Sequence, residues 1–380
     1  MRTIFTPTFF LIFLVFFTAC SKPDSKSVIK FQGSTMGTQY HIVIVPEKNQ
    51  NDNINESTIE LQKQVDALLL EINQQMSTYI SDSEISKFNR YQQLDWFPVS
   101  KDLARVVSSA QAVSKITQGA FDITIAPLID LWGFGSKVQL ATPTDEQIKN
   151  ALQKSGYQRL EVRNESPALR KRNNALRIDL SAIAKGFAVD TIAEFLNQNQ
   201  YNDYLVEIGG ELRNRGFNPK GKPWKIGIQS PENEAMHIKH RLLTSNLAIA
   251  TSGDYRNYFI KDGVRYSHTI NPVTGKPVAH NLASISVLHE SAMMADAYAT
   301  ALMVLGDEKG KAFAKKHQLR VNMVTRGAQN NQHWQNIDDI KIPQSLQKCE
   351  SSASETTSKH SDDDPKGEYN EPKLGCVYLE

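Results

Sequence analysis

The chain has 380 residues, of which 40% are hydrophobic and 22% charged, and its formal net charge is +2. This length can bury one large core or two lobes. Because the charge is close to zero and no basic cluster stands out, we expect no nucleic-acid partner. The cysteines, Cys20, Cys349 and Cys376, lie near the ends. The body therefore carries no disulfide framework, cysteine zinc site or thiol nucleophile.

Residues 1–19 have the pattern of a signal peptide. Arg2 gives a positive start, and residues 9–17 are unbroken apolar chain, which is too short to span a bilayer of about 30 Å. Thr18 and Ala19 before Cys20 resemble the lipobox of bacterial lipoproteins. We expect cleavage before Cys20, lipidation of this cysteine, and residues 20–29 as a polar tether. The alternative is an ordinary secretory signal with an incidental cysteine.

The patterns that follow alternate between strands and helices. A Gly-Ser-Thr loop is predicted over 31–38, a strand over 39–45, and an amphipathic helix over 57–75 with Ile59 on its buried side. Further helices are predicted over 100–117 and 144–155. Strands are predicted from about 160 and within 204–212, 224–229, 242–252, 284–288 and 321–325. Since no βαβ period repeats, the sequence predicts an α+β fold with mixed sheets and flanking helices, not a doubly wound nucleotide fold.

The last 37 residues, 344–380, have a different composition. Eight acidic and four basic side chains stand among Ser, Thr and Pro, with few apolar residues. Such a segment cannot offset its ordering entropy by burial, so we predict a disordered acidic tail. Cys349 and Cys376 could pair there in an oxidising compartment, or Cys376 could be an incidental thiol.

The most informative stretch runs from Tyr266 to Gly306. Its first part contains Asn-Pro and Thr-Gly, which predict a turn over 271–275. Its second part predicts a helix of Ala, Met and Leu ended by Gly306. Asp296 and Thr300 stand four apart in that helix and share one face. Two hard oxygens in an apolar helix suit Mg²⁺, and the alternative is a core helix with one capped acid and a back-bonded threonine.

A second informative stretch covers residues 178–190. A strand is predicted to end at Leu180 and a helix to begin near Ser181, with Lys185 in its first turn. A helix N-terminus beside a lysine favours anions. A serine-capped helix with one exposed lysine explains the same pattern.

The common nucleotide and hydrolase signatures are incomplete or missing. The segment 216–222 matches the spacing of a phosphate loop until Pro223, where Ser or Thr should bind metal, and it precedes a predicted strand. The sequence has no complete G-x-G-x-x-G, G-x-S-x-G or H-E-x-x-H. If the protein handles phosphates, it uses another arrangement.

Seven short motifs occur in an order that resembles the ApbE family, the FAD:protein FMN transferases. The resemblance covers roughly residues 30–326, and we expect the domain at 30–343. It implies an ApbE-like (T-fold-like) architecture in two lobes, with the FAD and metal site between them. The motifs are GSTMGT at 33–38, MSTY at 76–79 with SEIS at 83–86, GAFD at 119–122, DLSAIAKG at 179–186, IGG at 208–210, SHTINP at 267–272 and DAYAT at 296–300.

The resemblance also implies an activity. The family uses Mg²⁺ to split FAD at its pyrophosphate and transfers FMN to a threonine (or serine) hydroxyl of a target protein, releasing AMP. A base is expected at His268, and metal contacts at the Ala182 carbonyl, Asp296 and Thr300. Some relatives have Glu in place of Lys185. FAD contacts are implied for Met36, Tyr79, Ala120, Phe121, Asp122, Asp179, Lys185 and Ile270.

A neutral imidazole at His268 could take the proton of the acceptor hydroxyl, worth roughly 10²- to 10⁴-fold in rate. A buried core histidine is the alternative interpretation of His268. Trp132 and Phe134 are our own hypotheses for walls of a ring pocket.

Three other functions remain open at this point. Water could replace the target hydroxyl, which makes the protein an FAD pyrophosphatase giving FMN and AMP. The protein could instead be a non-catalytic flavin-binding lipoprotein or a plain solute-binding one. The resemblance implies periplasmic-facing flavoprotein subunits of Nqr- or Rnf-type redox complexes as partners. It also implies a lipid anchor at a bacterial membrane, the inner one by family, facing the periplasm.

Overall fold

The computed structural model describes residues 27–47, 54–135, 142–229, 238–253, 258–261, 264–326, 332–335 and 376–378. The predicted signal peptide, Cys20 and most of the acidic tail, Cys349 included, lie outside the described residues. Among the described helices, none combines the length and the apolar character that crossing a membrane requires.

The fold combines antiparallel sheets with seven described helices. The helices are α1 Ile54–Met76, α2 Glu84–Arg90, α3 Lys101–Ile116, α4 Ala126–Leu131, α5 Asp145–Leu152, α6 Ala184–Gln198 and α7 Ala292–Lys316. The strands are β1 Ile29–Thr35, β2 Thr38–Ile44, β3 Phe97–Pro98, β4 Leu160–Arg163, β5 Ala168–Lys171, β6 Tyr204–Ile208, β7 Glu211–Arg215, β8 Trp224–Gln229, β9 Ile238–Thr244, β10 Leu247–Gly253, β11 Tyr258–Lys261, β12 Val264–Ser267, β13 Leu282–His289, β14 Arg320–Thr325, β15 Gln332–Gln335 and β16 Cys376–Tyr378.

The largest sheet has eight strands in the order β1-β2-β6-β7-β10-β13-β14-β15. Smaller sheets have the orders β3-β5-β4, β16-β8-β9 and β11-β12. The predicted α+β class with flanking helices is confirmed, and the strand pairs of the described sheets are antiparallel.

Helices cover the large sheet on one side. The main hydrophobic cluster joins α1, α3 and α6 to β1, β2 and β6, and it also contains Leu160 and Leu169 of the small sheet. A second cluster holds α7 against β10, β13 and β14. A third, built around Trp224 and Ile226 of β8, packs on the other side against β6, β7 and β10. Helices α6 and α7 and strand β7 are therefore positioned by the same eight-stranded sheet, whereas Trp132 and Ile270 belong to a separate hydrophobic cluster.

The predicted loop before β2 is wrong in extent. Residues 29–35 form β1, and the turn is confined to Met36 and Gly37, with φ of 50° and 72°. Two consecutive positive φ values are typical of the tight hairpin turn, which lets both strands pair fully. The predicted burial of Ile59 in α1 is also wrong, since Ile59 is 58% exposed while Leu61 is buried.

Gly306 does not end α7, although the sequence predicted that it would. The backbone leaves helical geometry at Gly306, with φ 77° and ψ −174°, and the helix resumes to Lys316. A Cβ at position 306 would lie 2.9 Å from the His280 ring, whose Nε2 is 2.7 Å from the Met303 carbonyl oxygen. The side chain of His280 therefore packs against the break.

One short piece of the tail forms a strand, although disorder was predicted for 344–380. Cys376–Tyr378 pair with β8 as an antiparallel strand. Backbone hydrogen bonds at an open strand edge can hold such a short segment whatever the surrounding composition.

Candidate functional site

The helices α6 and α7 approach each other closely at Gly186. A Cβ at this position would lie 2.3 Å from the carbonyl oxygen of Ala292 and 2.7 Å from the Cα of Met293. Because both neighbours are backbone, any larger side chain would force the helices apart. This contact places the first turn of α6 against the first turn of α7.

Asp296 lies at this α6–α7 junction and is only 3% exposed. Its Oδ2 accepts the backbone N–H of Gly186 at 3.1 Å, and the Lys185 ammonium is 3.9 Å away. Burial raises the pKa of the Asp296 carboxyl, while Lys185 and the Gly186 N–H act in the opposite direction. Both opposing groups favour the carboxylate, the form that binds a cation.

The Gly186 N–H has a second consequence, for Ala182. In regular helix geometry this donor would bind the carbonyl four residues earlier, which belongs to Ala182. It binds Asp296 instead, and within the described part of the chain no hydrogen bond reaches the Ala182 carbonyl. A carbonyl left outside the helical ladder, at the same helix start that meets the Asp296 carboxylate, is a suitable ligand for a hard cation.

Thr300 follows Asp296 by one helical turn on α7. Its Oγ1 is 3.4 Å from the Oγ of Ser252 on β10. The predicted pair therefore shares a helix face beside the sheet. The carboxylate, the carbonyl and the hydroxyl form an oxygen set that fits Mg²⁺, which keeps waters and shares substrate phosphates. Among the described residues, no group of three His, Cys, Asp or Glu side chains is placed to bind a metal.

Glu211 is a site residue that the sequence prediction missed. It is 4% exposed, and its Oε2 is 3.6 Å from the Lys185 Nζ. Residues 204–212 were predicted as one strand, but Gly209 and Gly210 have φ of 58° and 102° and form the turn between β6 and β7. Two adjacent glycines are a hairpin signal that could have placed Glu211 at the start of a new strand.

A partly buried pair, His41 and Glu207, supports that turn. The Oε2 of Glu207 is 2.8 Å from the His41 Nδ1, and its Oε1 accepts the Gly210 N–H at 2.6 Å. The Glu207 hydrogen bond raises the pKa of His41, against burial, which lowers it. A Cβ on Gly209 would lie 2.7 Å from the Thr38 methyl, so the turn also packs beside the β1–β2 hairpin that carries Met36.

Asp179 and Tyr79 come together from distant parts of the chain. The Asp179 Oδ2 accepts the Thr78 hydroxyl at 3.3 Å, and the Asp179 N–H binds the Ile123 carbonyl at 2.8 Å. Tyr79 is 71% exposed. Partial burial, Asp179 and Asp130 together raise its pKa. The exposed ring is free of the core and can stack on a planar ligand.

The side chains at 120–122 point into the protein. Ala120 is 6% and Phe121 1% exposed. The Asp122 carboxylate accepts the Thr124 N–H at 2.8 Å, the Thr124 hydroxyl at 2.7 Å and the Tyr157 N–H at 2.9 Å. Burial raises the pKa of Asp122. This segment braces its own loop, so main-chain atoms are the part of it that a ligand can meet.

His268 and Ile270 lie on the chain between β12 and the predicted turn, which is confirmed. The Asn271 carbonyl accepts the Gly275 N–H at 2.8 Å, and the Asn271 N–H binds the Lys276 carbonyl at 2.9 Å. Ile270 is 3% exposed, and His268 is half-buried. The hydrogen-bonded turn therefore restrains the backbone that directly follows His268 and Ile270.

The two hypothetical pocket walls differ. Trp132 is 5% exposed, and its Nε1 donates to the Gly275 carbonyl at 2.7 Å. Its ring packs in a cluster with Ile270 and Tyr266, so it anchors the turn and does not line an open pocket. Phe134 is half-buried, its ring centroid is 6.4 Å from that of His268 in an edge-to-face arrangement, and it remains our hypothesis for a wall.

Comparison with known proteins gives a consistent result. A model of the ApbE family matches residues 36–325. The FAD:protein FMN transferase of Vibrio cholerae serotype O1 is 42% identical over 314 residues, which cover 82% of this chain and 91% of the relative. The Escherichia coli K12 protein of the same name is 37% identical over 343 residues, 88% of this chain and 96% of the relative.

Solved structures agree with the sequence relatives. The flavin transferase ApbE from Vibrio cholerae superposes with a TM-score of 0.75 at 38% identity and covers 83% of this chain and 99% of its own. The apo form of the Pseudomonas stutzeri flavinyl transferase ApbE has a TM-score of 0.75 at 36% identity, with 83% and 96% covered. On these matches, which span most of both partners, the chain belongs to the ApbE family.

Proposed function

We propose that this chain is an FAD:protein FMN transferase that attaches FMN to a threonine (or serine) hydroxyl of a target protein and releases AMP. The observation that carries the proposal is the α6–α7 junction. There a buried carboxylate lies 3.9 Å from a lysine, at a helix start whose Ala182 carbonyl stands outside the helical ladder, within a chain that matches flavin transferases over most of its length. This arrangement suits a metal-bound pyrophosphate better than a neutral solute.

Asp296, Thr300 and the Ala182 carbonyl would hold the Mg²⁺. Bound there, the ion would neutralise charge on the pyrophosphate and the leaving AMP, worth several kcal/mol. Lys185 adds a point charge on the same side of the junction, and Glu211 keeps its ammonium in place at 3.6 Å.

His268 would act as the general base. The acceptor hydroxyl oxygen forms a bond to the phosphorus of the FMN half, and the bond from that phosphorus to the bridging oxygen breaks. The hydroxyl proton passes to the neutral imidazole, and AMP leaves with the bridging oxygen. Phe134 and the hydrogen-bonded turn at 271–276 limit the positions that the imidazole ring can adopt.

The other site residues would place FAD. Tyr79 offers an exposed ring, and Asp179 is tied to the same loop through Thr78. Met36 lies in the β1–β2 turn, and Ile270 would add an apolar surface beside Trp132. Residues 120–122 would contribute main-chain atoms. Asp122 itself acts through the loop that it braces.

The targets that we propose are periplasmic-facing flavoprotein subunits of Nqr- or Rnf-type complexes. We also propose that Cys20 carries a lipid anchor, which would hold the enzyme at the membrane beside such targets. The motif at 17–20 supports this, and it needs mass spectrometry of the membrane-extracted protein for its test.

The test mixes purified protein, FAD, Mg²⁺ and a target domain that contains the acceptor threonine. We expect the target to gain in-gel flavin fluorescence and the mass of FMN, with one AMP released per modified target. A target in which the acceptor threonine is replaced by alanine is the matched control.

Two outcomes would overturn the proposal. AMP and free FMN without a modified target would identify an FAD pyrophosphatase. FAD bound unchanged, with neither AMP nor modified target, would identify a flavin-binding lipoprotein.

A further inference from the structure

The carboxylate of Asp190 accepts four hydrogen bonds, and Asp190 has no role in the proposed chemistry. It lies on α6 and is 9% exposed. Its Oδ1 accepts from the Arg213 Nη1 at 2.7 Å and the Ala292 N–H at 3.0 Å. Its Oδ2 accepts from the Ser291 hydroxyl at 2.6 Å and the Met293 N–H at 3.0 Å.

Three of these four donors belong to the beginning of α7. Ser291 is the N-cap residue of that helix, and Ala292 and Met293 are its first two residues. A helix N-terminus usually takes its cap from its own chain segment. Here the carboxylate of a neighbouring helix shares the task, so Asp190 bonds α6 directly to the end of α7.

Asp190 and Gly186 are four residues apart and therefore lie on one face of α6, one turn apart. Gly186 donates to Asp296, whereas Asp190 accepts from the turn of α7 that precedes Asp296. Two points of attachment fix both the register and the rotation of α7. They add to the packing of α7 on β10, β13 and β14, which by itself does not specify where the polar groups of α7 stand relative to α6.

Strand β7 extends the same arrangement. Its alternate residues Glu211, Arg213 and Arg215 share a face. They pair with successive positions along α6: Glu211 with Lys185, Arg213 with Asp190 and Arg215 with Asn197. The first two pairs are linked to α7 through Asp296 and Asp190. The Arg215–Asn197 pair, at 2.6 Å, joins β7 to α6 and has no link to α7 among the described residues; the same Asn197 oxygen accepts the Tyr204 hydroxyl of β6.

We propose that Asp190 is a positioning residue for the divalent-cation site: it holds α7 in the rotation that directs Asp296 and Thr300 toward the Ala182 carbonyl. The inference rests on the proposed function, since it assumes the cation. Groups that orient metal ligands typically change affinity by about 10- to 100-fold when they are altered. A cap that only stabilises the helix would lower stability and leave affinity unchanged.

The test uses the FAD-loaded full chain without any target protein and Mn²⁺ as the probe, with free Mn²⁺ followed by electron paramagnetic resonance. Asp190→Asn keeps the size of the side chain but replaces one acceptor oxygen with an amide donor, opposite Ser291 and Met293. We expect its Kd for Mn²⁺ to rise by about 10- to 100-fold. Arg215→Gln is the matched control, and its Kd should equal that of the wild type.

Asp190→Glu covers the case in which Asp190→Asn does not fold. It keeps the carboxylate but moves it by one methylene, and we expect a Kd between those of the wild type and the amide variant. A wild-type Kd in either folded Asp190 variant, or an equal loss in Arg215→Gln, would overturn the positioning role. Failure of the wild type itself to bind Mn²⁺ would overturn the cation site of the proposed function. That result is distinct from failure of the positioning role, in which the wild type binds Mn²⁺ and the Asp190 variants bind it equally well.

Discussion

The two sides of the candidate site are built from different interactions. At the α6–α7 junction the main interactions are ion pairs: the Lys185 ammonium lies 3.6 Å from Glu211 and 3.9 Å from Asp296. On the side of the 271–276 turn, Ile270 and Trp132 pack in an apolar cluster, and one indole N–H holds the turn. The first side suits phosphate and metal, and the second suits an aromatic ring and an uncharged base. The difference predicts that changes on each side will have separable effects.

The largest effect is expected on the turn side, from His268→Ala. If His268 is the general base that we propose, its loss should lower the rate of FMN transfer by roughly 10²- to 10⁴-fold. FAD affinity, measured by fluorescence titration, should stay near that of the wild type because the phosphate contacts lie on the junction side. Transfer at the wild-type rate would remove His268 from the mechanism.

On the junction side, Asp296→Ala should raise the Mg²⁺ concentration needed for half-maximal transfer and lower the rate at fixed Mg²⁺ by about 10²-fold or more, since it removes the carboxylate ligand. Asp203→Ala is the control, because Asp203 is a partly buried aspartate outside the candidate site and its Oδ1 accepts the Phe217 N–H at 2.9 Å. It should lose about 1–3 kcal/mol of stability and keep the Mg²⁺ midpoint. An equal shift of the Mg²⁺ midpoint in both variants would contradict a specific role of Asp296 in metal binding.

A smaller effect is expected from Trp132→Phe. The variant keeps an aromatic ring in the cluster but loses the bond from the indole N–H to the Gly275 carbonyl. We expect a loss of about 1 kcal/mol in the free energy of unfolding, measured with urea, and an unaltered Mg²⁺ midpoint. A shifted midpoint would show that the two sides are coupled.

The smallest effect concerns His41, which supports the turn before Glu211. Its pKa is raised by Glu207, so the folded protein holds this proton more tightly than the unfolded chain. The stabilisation is complete below about pH 6.5, the unfolded value, and is lost as the pH rises through the higher folded value. In His41→Gln this part of the pH dependence should disappear. Urea unfolding of both proteins from about pH 5.5 to about pH 8.5 measures it, and identical profiles would contradict the assignment.

The sequence predicted the parts of the site that depend on short spacing. Asp296 and Thr300 on one helix face, Lys185 in a first helical turn and the turn after Ile270 are all local patterns, and the structure has each of them. The fold class followed from the alternation of strands and helices. These predictions needed no knowledge of how distant segments meet.

Contacts between distant segments were not predictable in this way. Asp190 meets Ser291 across 101 positions, and nothing in the local sequence separates it from any other helical aspartate. Glu211 was missed because two glycines within apolar residues were interpreted as a strand interior. Gly306 was interpreted as a helix end because a glycine with positive φ usually stops a helix, whereas here packing on the sheet and His280 lets the helix continue.

The break at Gly306 divides α7 into two helical segments. Residues 292–305 carry Asp296 and Thr300. Residues 307–316 form a second helical segment, and the non-helical backbone at Gly306 interrupts the regular helix between the two. We therefore expect that a change in the second segment, residues 307–316, is not carried back along the helix to the oxygens of Asp296 and Thr300. For an engineer, the exposed residues of 307–316, such as Glu308, Lys311 and Lys315, are the place to alter the protein's surface, whereas Gly310 and Ala314 are buried.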